Sequence, residues 1–246
     1  MVVTRGRPTA ARSRRSRWSI VAVLLAAALA APAHALAADP IRSDPVGTFT
    51  GRPARVAESL NLYRSSAMVK QYTSYWCVPA TTQSMVNLVR GTSNRTYDTQ
   101  RFMYRKTREN NRYTYASLGN DPQGWAWAVT YFSRGEASYQ ARAFDSRSAA
   151  IDAIVESLVR TRHPVGVTVQ KGTHAWVVLG FKGDVRPGDP SSRRVFGLYV
   201  SGPLGSPRDP WAVQYMSLDT FASSFTRYHE WQRPVIWEDK YVIIAD

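Results

Sequence analysis

The sequence predicts an α+β fold in which helices come first along the chain and a sheet follows. Apolar residues recur at spacings of three and four between Pro79 and Leu158, which is typical of helices with one buried face. From Pro164 onward the pattern changes to alternating and continuous apolar runs, which favour strands. Helices followed by strands indicate an α+β layout rather than an alternating parallel one.

The first helix is predicted to begin near Pro79. Met85, Leu88 and Val89 fall on one face, and Gly91 follows as a stop signal. Proline suits the first turn because its missing N–H would have no intrahelical acceptor there. Cys77 therefore lies at or just before the start of this helix.

Three more helices are predicted before the sheet. Two are expected over residues 98–107 and 122–133, where apolar residues again share one face. The clearest has an apolar stripe at residues 151–158, and Asp145 or Ser146 is available as its N-cap.

Four strands and a short helix are predicted in the second half. The strands cover PVGVTVQ, HAWVVLGF and RVFGLYV, and YVIIA closes the chain; a turn-rich loop, GDVRPGDPSS, separates the second strand from the third. A short helix is expected over residues 218–225.

Residues 1–37 are predicted to be a signal peptide, so the protein is expected to be secreted or at the cell surface. Six arginines and no acidic residue occupy the first 17 positions, and an apolar stretch, residues 18–38, follows. Ala35 and Ala37 both fit the small-residue rule for cleavage. The alternative is a retained anchor, since the stretch is almost long enough to span a bilayer. SRRSRW is similar to a twin-arginine signal of bacteria, although Arg17 stands where an apolar residue is usual.

The mature chain of about 209 residues is enough for one domain. Residues 38–66 mix Pro, Gly, Ser and charge without a sustained period, and are predicted to be loosely ordered. The folded domain is predicted to span residues 67–246.

The charge of the chain indicates anionic partners. Removal of the six arginines lowers the net charge from +14 to +8, which favours an anionic cell-wall or membrane surface. The alternative is that the charge only keeps a secreted protein soluble. Nucleic acid is not a predicted partner, because the basic residues are scattered and no binding motif is present. No phosphate loop or metal-ligand spacing occurs, so no cofactor or metal is predicted.

Cys77, in QYTSYWCVPA, is the only cysteine of the chain. It has no intramolecular partner, and thiols tend to be oxidised outside cells, so its presence in an exported protein needs a reason. A helix N-terminus favours a thiolate through its dipole and its free N–H groups. We therefore interpret Cys77 as a nucleophile; the alternative is a small buried apolar side chain.

His174 is the candidate base for this nucleophile, because it opens the apolar strand and would be held at the edge of a sheet. A strand-end histidine can also be structural. His34 is removed with the signal peptide, and His163, between a helix and a proline, is expected to cap helix carbonyls. His229 lies in a polar aromatic segment of uncertain structure.

The order Gln71, Cys77 and His174 resembles the papain superfamily. Gln71 precedes the cysteine by six positions, and His174 stands in GTHAWVVLGF after a helix and a strand. The pattern is most similar to the bacteriocin-leader-peptidase-like (double-glycine peptidase) group, over residues 69–200 and more loosely to the C-terminus. The resemblance implies a helical layer carrying the cysteine, packed on an antiparallel sheet carrying the histidine, and a peptide or protein substrate. It also implies an oxyanion hole formed by the Gln71 amide and the Cys77 N–H.

Two positions depart from that family pattern. Val78 stands where glycine usually follows the cysteine, which would narrow the cleft. Gly202 stands where an Asp or Asn usually orients the histidine, so Asp209 in PRDPW is the candidate substitute. A catalytically inactive papain-fold binding protein at the bacterial surface is therefore an alternative to the peptidase. An acyl transferase that uses amines shares the Cys–His dyad and is not separated from a hydrolase by the sequence.

Residues 97–132 are rich in aromatic and basic residues. They can form a groove for an extended peptide or anionic glycan, but we favour the alternative of core anchors beneath a solvated basic face. Trp76, beside the nucleophile, is predicted to shape the cleft.

Overall fold

An antiparallel sheet of seven strands is the main element of the structure. The computed structural model describes residues 54–114, 119–205, 212–231 and 233–246. The strands found there are β1 (Val56–Asn61), β2 (Gln140–Phe144), β3 (Val165–Val169), β4 (His174–Arg186), β5 (Asp189–Ser201), β6 (Gln214–Ser217) and β7 (Tyr241–Ala245). They pair in the order β2-β7-β3-β4-β5-β6, and β1 pairs with β4. All of these pairs are antiparallel, as predicted.

Helices cover the sheet on both faces. Those in the described ranges are α1 (Cys77–Val89), α2 (Tyr97–Glu109), α3 (Pro122–Phe132), α4 (Arg147–Thr161) and α5 (Leu218–Ser224), with a short 3-10 turn at Ser65–Ala67. The ends of α1 to α4 lie close to the predicted ones, and the N-cap of α4 is Ser146. None of these helices has the length and apolar character that a membrane crossing requires. The predicted signal peptide, residues 1–37, lies outside the described residues.

The two faces of the sheet have separate hydrophobic cores. Trp176 and Val178 of β4 pack in the core that includes α4. Ala175, Val177 and Leu179 pack in the core that includes α1 and α3. Successive side chains of a strand point to opposite faces, so β4 is buried on both sides. This explains its continuous apolar run, HAWVVLGF.

Strand β1 lies inside residues 38–66, and the prediction of loose order is wrong for this part of the segment. β1 pairs along the second half of β4. Its residues are exposed or half-buried, so they lack the apolar alternation that predicts a strand. Gly180 makes the close pairing possible, because a Cβ at this position would lie 1.9 Å from the carbonyl oxygen of Leu60.

The loop predicted at GDVRPGDPSS is mostly a β-hairpin. β4 continues to Arg186 and β5 begins at Asp189, which leaves a two-residue turn whose Gly188 has a φ of +77°. Hydrogen bonds from Arg194 and Arg55 lower the pKa of Asp184 to about 2 and help to join the hairpin to the chain before β1. Charged side chains thus stabilise the end of the β4–β5 hairpin, which has few apolar residues. β2 and β6, which the sequence also does not predict, are short strands at the two edges of the sheet.

We expect Gly180→Ala to lower the free energy of unfolding by about 1–3 kcal/mol, the usual cost of overpacking. The added Cβ would collide with the Leu60 carbonyl oxygen and push β1 away from β4. Urea unfolding measures the difference. Ser59→Ala, at an exposed position on β1, is the control and should change the value by less than about 0.5 kcal/mol. An unchanged midpoint in Gly180→Ala would contradict the close approach of the two strands.

Candidate active site

A cavity of about 390 Å³, which we call the cleft, lies where the first residues of α1 and α3 meet the start of β4. The residues that line it come from these elements, from β3 and from the segment before β7; they include Cys77, Asn120, Trp125, His174, Tyr228 and Trp231. Trp125 is fully buried and lies against the backbone of β3. A Cβ at Gly166 would be 2.5 Å from the Trp125 ring. The absence of a side chain at this glycine therefore allows the ring to lie where it does.

Cys77 is the first residue of α1 and is half-buried in the cleft. Helices α2 to α5 each begin with a Thr, Asp or Ser whose side chain accepts a backbone N–H of the first turn. In α1 this position is Trp76, and no side chain caps the helix. The first-turn N–H groups have no intrahelical acceptor, and the positive end of the helix favours a nearby anion. The start of α1 is therefore suited to stabilise a thiolate or an oxyanion.

His174 is the first residue of β4, and it also lines the cleft. It is 8% exposed. The turn before it contains three successive residues with positive φ, which are Gln170 at +53°, Lys171 at +61° and Gly172 at +84°. A non-glycine residue in this conformation costs on the order of 1 kcal/mol. The turn that carries the histidine is therefore strained and must be held by other parts of the protein.

The segment after α5 holds this turn. The N–H of Lys171 donates to Thr226 Oγ1 at 2.8 Å, and the carbonyl of Lys171 accepts the N–H of His229 at 3.1 Å. Gly172 lies against the ring of Tyr228, where an added Cβ would be 2.5 Å from the nearest ring atom. Tertiary contacts thus fix the direction in which β4 begins.

The fold therefore brings Cys77 and His174, which are far apart in the sequence, to the same cavity. A family model described as the Peptidase_C39 like family matches residues 63–229, more than half of the chain. The chain belongs to this family. The family assignment confirms the resemblance predicted from the sequence, and the α+β architecture agrees with the papain-like fold that it implies. A comparison with curated protein sequences finds no match.

Membership of the Peptidase_C39 like family suggests a cysteine peptidase and implies a peptide substrate. The matched region contains Gln71, Cys77, His174 and Asp209. Asp209 lies outside the described residues. Within the described ranges, no group of His, Cys, Asp and Glu side chains is arranged to hold a metal ion.

Gln71 lies near the start of α1 but is not among the described residues that line the cleft. Its side-chain Nε2 donates to the carbonyl oxygen of Thr73 at 2.7 Å, and its backbone N–H donates to the carbonyl of Pro203 at 3.0 Å. Its Oε1 is buried and has no hydrogen-bond partner among the described residues. One amide hydrogen of Gln71 is therefore engaged by the backbone.

Trp76 does not shape the cleft, so this prediction is wrong. Its ring is buried and stacks between Tyr97 and Tyr104 of α2, with centroid distances of 5.3 and 5.4 Å. The indole therefore anchors the start of α1 to α2. The neighbouring Tyr75 lines the cleft instead.

Val78 and Gly202 are the two positions that depart from the family pattern. Val78 is largely buried and forms part of the cleft wall without filling the cavity. Gly202 is buried directly after β5 and has no side chain with which to orient an imidazole. The orienting group for His174 is thus not at the position where the family pattern places it.

The aromatic and basic residues between positions 97 and 132 lie mostly away from the cleft. Of the described aromatic residues in this stretch, Trp125 alone lines the cavity. Tyr97, Phe102 and Tyr131 are exposed, and the Arg105 guanidinium lies 5.9 Å from the centre of the Phe102 ring. Trp125 is the one fully buried aromatic residue among those described in this stretch, so the prediction of core anchors is wrong for most of them; they form an aromatic and basic surface outside the cleft.

A second histidine lies in the cleft, at a position that no pattern in the sequence indicates. His229 lines the cavity, and its Nδ1 lies 2.6 Å from Glu238 Oε1. The contact joins two turns of an irregular segment, which no periodic pattern in the sequence indicates. His163, by contrast, does not cap helix carbonyls as predicted. Its Nδ1 lies 2.7 Å from the Asp246 carboxylate, because the last residue of the chain lies beside α4 and β3.

Asn120 is another cleft residue that the sequence does not indicate. It directly precedes Asp121, whose side chain accepts the N–H of Gly124 at 2.8 Å and caps α3. Both polar atoms of the Asn120 amide are buried and have no hydrogen-bond partner among the described residues. Burial raises the pKa of Asp121, although backbone N–H groups, first that of Gly124, oppose the effect.

We expect Glu238→Gln to destabilise the protein at pH 7 and progressively less as the pH falls below about 4.3. The N–H of Glu230 and then the His229 ring lower the pKa of Glu238. A lowered carboxyl pKa contributes stability above the unfolded value of about 4.3, and this contribution is lost as the pH falls through the folded value. Urea unfolding at several pH values measures the gap between the two proteins. Glu156→Gln, at an exposed position on α4, is the control; a gap that does not change with pH would contradict the assignment.

Proposed function

We propose that the protein is a cysteine peptidase, or a related thiol acyl hydrolase, that uses Cys77 as nucleophile and His174 as base. The observation that carries the proposal is that the first residue of α1 and the first residue of β4 line one open cavity. A family of peptidases supports the same reaction class.

In the proposed reaction the Cys77 thiolate attacks the carbonyl carbon of a peptide bond. The thiol proton passes to His174, which then donates it to the leaving amine as the C–N bond breaks. Water, deprotonated by His174, hydrolyses the resulting thioester and restores the thiol. The Cys77 N–H at the uncapped start of α1 is one donor to the oxyanion.

Gln71 and Asp209 are proposed to support this reaction. The Gln71 amide would donate to the oxyanion after moving from its contact with Thr73 O, since Gln71 does not line the cleft in this structure. Removal of one such donor typically costs about 3 kcal/mol of barrier. Asp209 is the proposed orienting group for His174, in place of the residue that Gly202 does not supply.

We also propose that the peptidase acts outside the cell, after removal of residues 1–37. A single cysteine in an exported chain is then retained for its chemistry. The net charge of +8 that remains after cleavage favours the vicinity of an anionic wall or membrane surface.

The open cleft favours an enzyme over an inactive binding protein. Val78 forms only part of the wall, and the Trp76 ring is turned away onto α2. Acyl transfer to an amine in place of water would use the same two residues, and product analysis with added amines separates the two reactions.

We expect His174→Ala to slow alkylation of Cys77 by iodoacetamide at pH 6 at least tenfold, because the imidazolium that stabilises the thiolate is lost. Cleavage of a peptide library should fall by about 10²–10⁴-fold. Cys77→Ala should abolish cleavage. His163→Ala is the matched control, since His163 lies outside the cleft and pairs with Asp246. Equal alkylation of wild type and His174→Ala, with no peptide cleaved, would favour the binding-protein alternative.

We expect Gly172→Ala to lower the rate of cleavage by at least tenfold. The added Cβ would clash with the Tyr228 ring at a φ of +84° and so displace the turn before His174. Gly188→Ala is the matched control, because Gly188 has a φ of +77° but no atom within 4 Å of the added Cβ. Gly188→Ala should have a similar backbone strain but an unchanged rate of cleavage. Equal rates for the two variants would mean that the position of His174 does not depend on Tyr228.

A further inference from the structure

A second cavity, of about 440 Å³, lies beside the cleft. We call it the basic cavity. Tyr228, His229 and Trp231 line both cavities, so this short segment is the wall between them. Trp231 is 72% exposed. A peptide held in the cleft would have to cross only this wall to reach the basic cavity.

Three cationic side chains from different parts of the chain line the basic cavity. Arg147 begins α4, Lys171 belongs to the strained turn before β4, and Arg227 follows α5. Arg147 and Arg227 both lie 5.3 Å from the centre of the Tyr241 ring. The three residues are distant in the sequence, so the fold brings them together and the cavity is not a consequence of one basic segment of the chain.

The acidic residues of the basic cavity already have partners. Glu238 accepts hydrogen bonds from the His229 ring and from the N–H of Glu230. Asp239 forms an ion pair with Arg227 at 3.2 Å. Neither Arg147 nor Lys171 is paired with a carboxylate in the described part of the chain; Arg147 donates only to the carbonyl of Phe225. The lining thus has three cations and two carboxylates, a net charge of one positive, and two of its cations have no carboxylate partner in the described part of the chain.

The position of Lys171 is set by the turn that also carries His174. Lys171 has a φ of +61°, and its backbone is held on both sides by Thr226 and His229. The strained turn thus joins Lys171, which lines the basic cavity, to His174, which lines the cleft three residues later. The backbone of Lys171 is therefore held close to the candidate site.

We propose that the basic cavity binds an acidic side chain of the peptide whose scissile bond lies in the cleft. This inference rests on the proposed peptidase function and adds a specificity subsite to it. The carboxylate would pair with Lys171 and Arg147, and the Tyr228 and Trp231 rings would contact the aliphatic part of the side chain. The shared wall favours part of the substrate over a separate polyanion as the occupant.

The test compares pairs of peptides that differ only by Glu or Gln at one position. The starting peptide is the one best cleaved in a library by the mature wild-type protein, and each position in turn carries Glu or Gln. We expect one position at which the wild type prefers Glu at least tenfold in kcat/KM. In Lys171→Gln and in Arg147→Gln this ratio should fall toward one, whereas Lys171→Arg should keep it. The preference should also weaken between 0.05 and 0.5 M salt, because partly exposed charges are screened.

Arg101→Gln is the matched control, since Arg101 is an exposed cation on α2 outside both cavities. It should leave the Glu-to-Gln ratio unchanged. The Glu-to-Gln ratio of kcat/KM, unlike the rate itself, separates loss of the subsite from loss of activity. If one of the two cavity variants folds poorly, the other still gives the test. Wild type that cleaves peptides without any preference for Glu, or a preference that survives in both cavity variants, would overturn the subsite. Wild type that cleaves no peptide would instead overturn the proposed function. Binding of polyphosphate that Lys171→Gln abolishes, without a preference for Glu, would assign the cavity to a polyanion and overturn the peptide proposal.

Discussion

Strand β4 is buried on both faces, and this constraint determines where the candidate site can be. The strand pairs with β1, β3 and β5, and its side chains alternate between the two cores. A shift of one residue along its partners would exchange the contents of the two cores. His174 is the first residue of the strand, so its position in the cleft follows from the packing of the whole sheet.

The start of α1 shows how a site can be stabilised by packing while its polar groups stay available. A side-chain N-cap typically contributes about 1 kcal/mol, and α2 to α5 all have one. At α1 the chain has Trp76 instead, and the stacking of this ring on Tyr97 and Tyr104 anchors the helix. In α2 to α5 the cap accepts the N–H of the third helical residue, and in α1 this residue is Pro79, which has no N–H to donate. Aromatic packing thus anchors this helix end where a side-chain cap of that kind has no donor to bind.

The elements that the sequence predicts correctly are those in which the spacing of apolar residues follows the spacing of buried positions. The helices α2 to α4 have one buried face, and β3, the first part of β4, and β7 are buried on both faces. Helix α1 is buried on all sides over residues 78–87, although its apolar residues lie on one face. β1 and the hairpin end of β4 and β5 are stabilised by backbone pairing and by charged groups such as Asp184 with Arg194, which leave no periodic signal.

The candidate site, like the fold, was predictable from the sequence only in part. Cys77 and His174 stand at element boundaries, which spacing and composition reveal. The direction of the Trp76 ring, the pairing of His229 with Glu238 and the basic cavity all depend on contacts between distant segments. Such contacts are not encoded in local periodicity. The orienting role assigned to Asp209 stays a prediction.

The contact between Gly166 and Trp125 gives one backbone position control over the depth of the cleft. The indole can lie against β3 only while position 166 lacks a Cβ. A larger residue there would displace the ring from its place in the cleft wall and change the space available to a substrate, without changing any residue proposed to take part in the chemistry. The shape of the cleft thus depends on one position of the sheet that takes no part in the proposed chemistry, so the space for a substrate can be altered without altering the reacting groups.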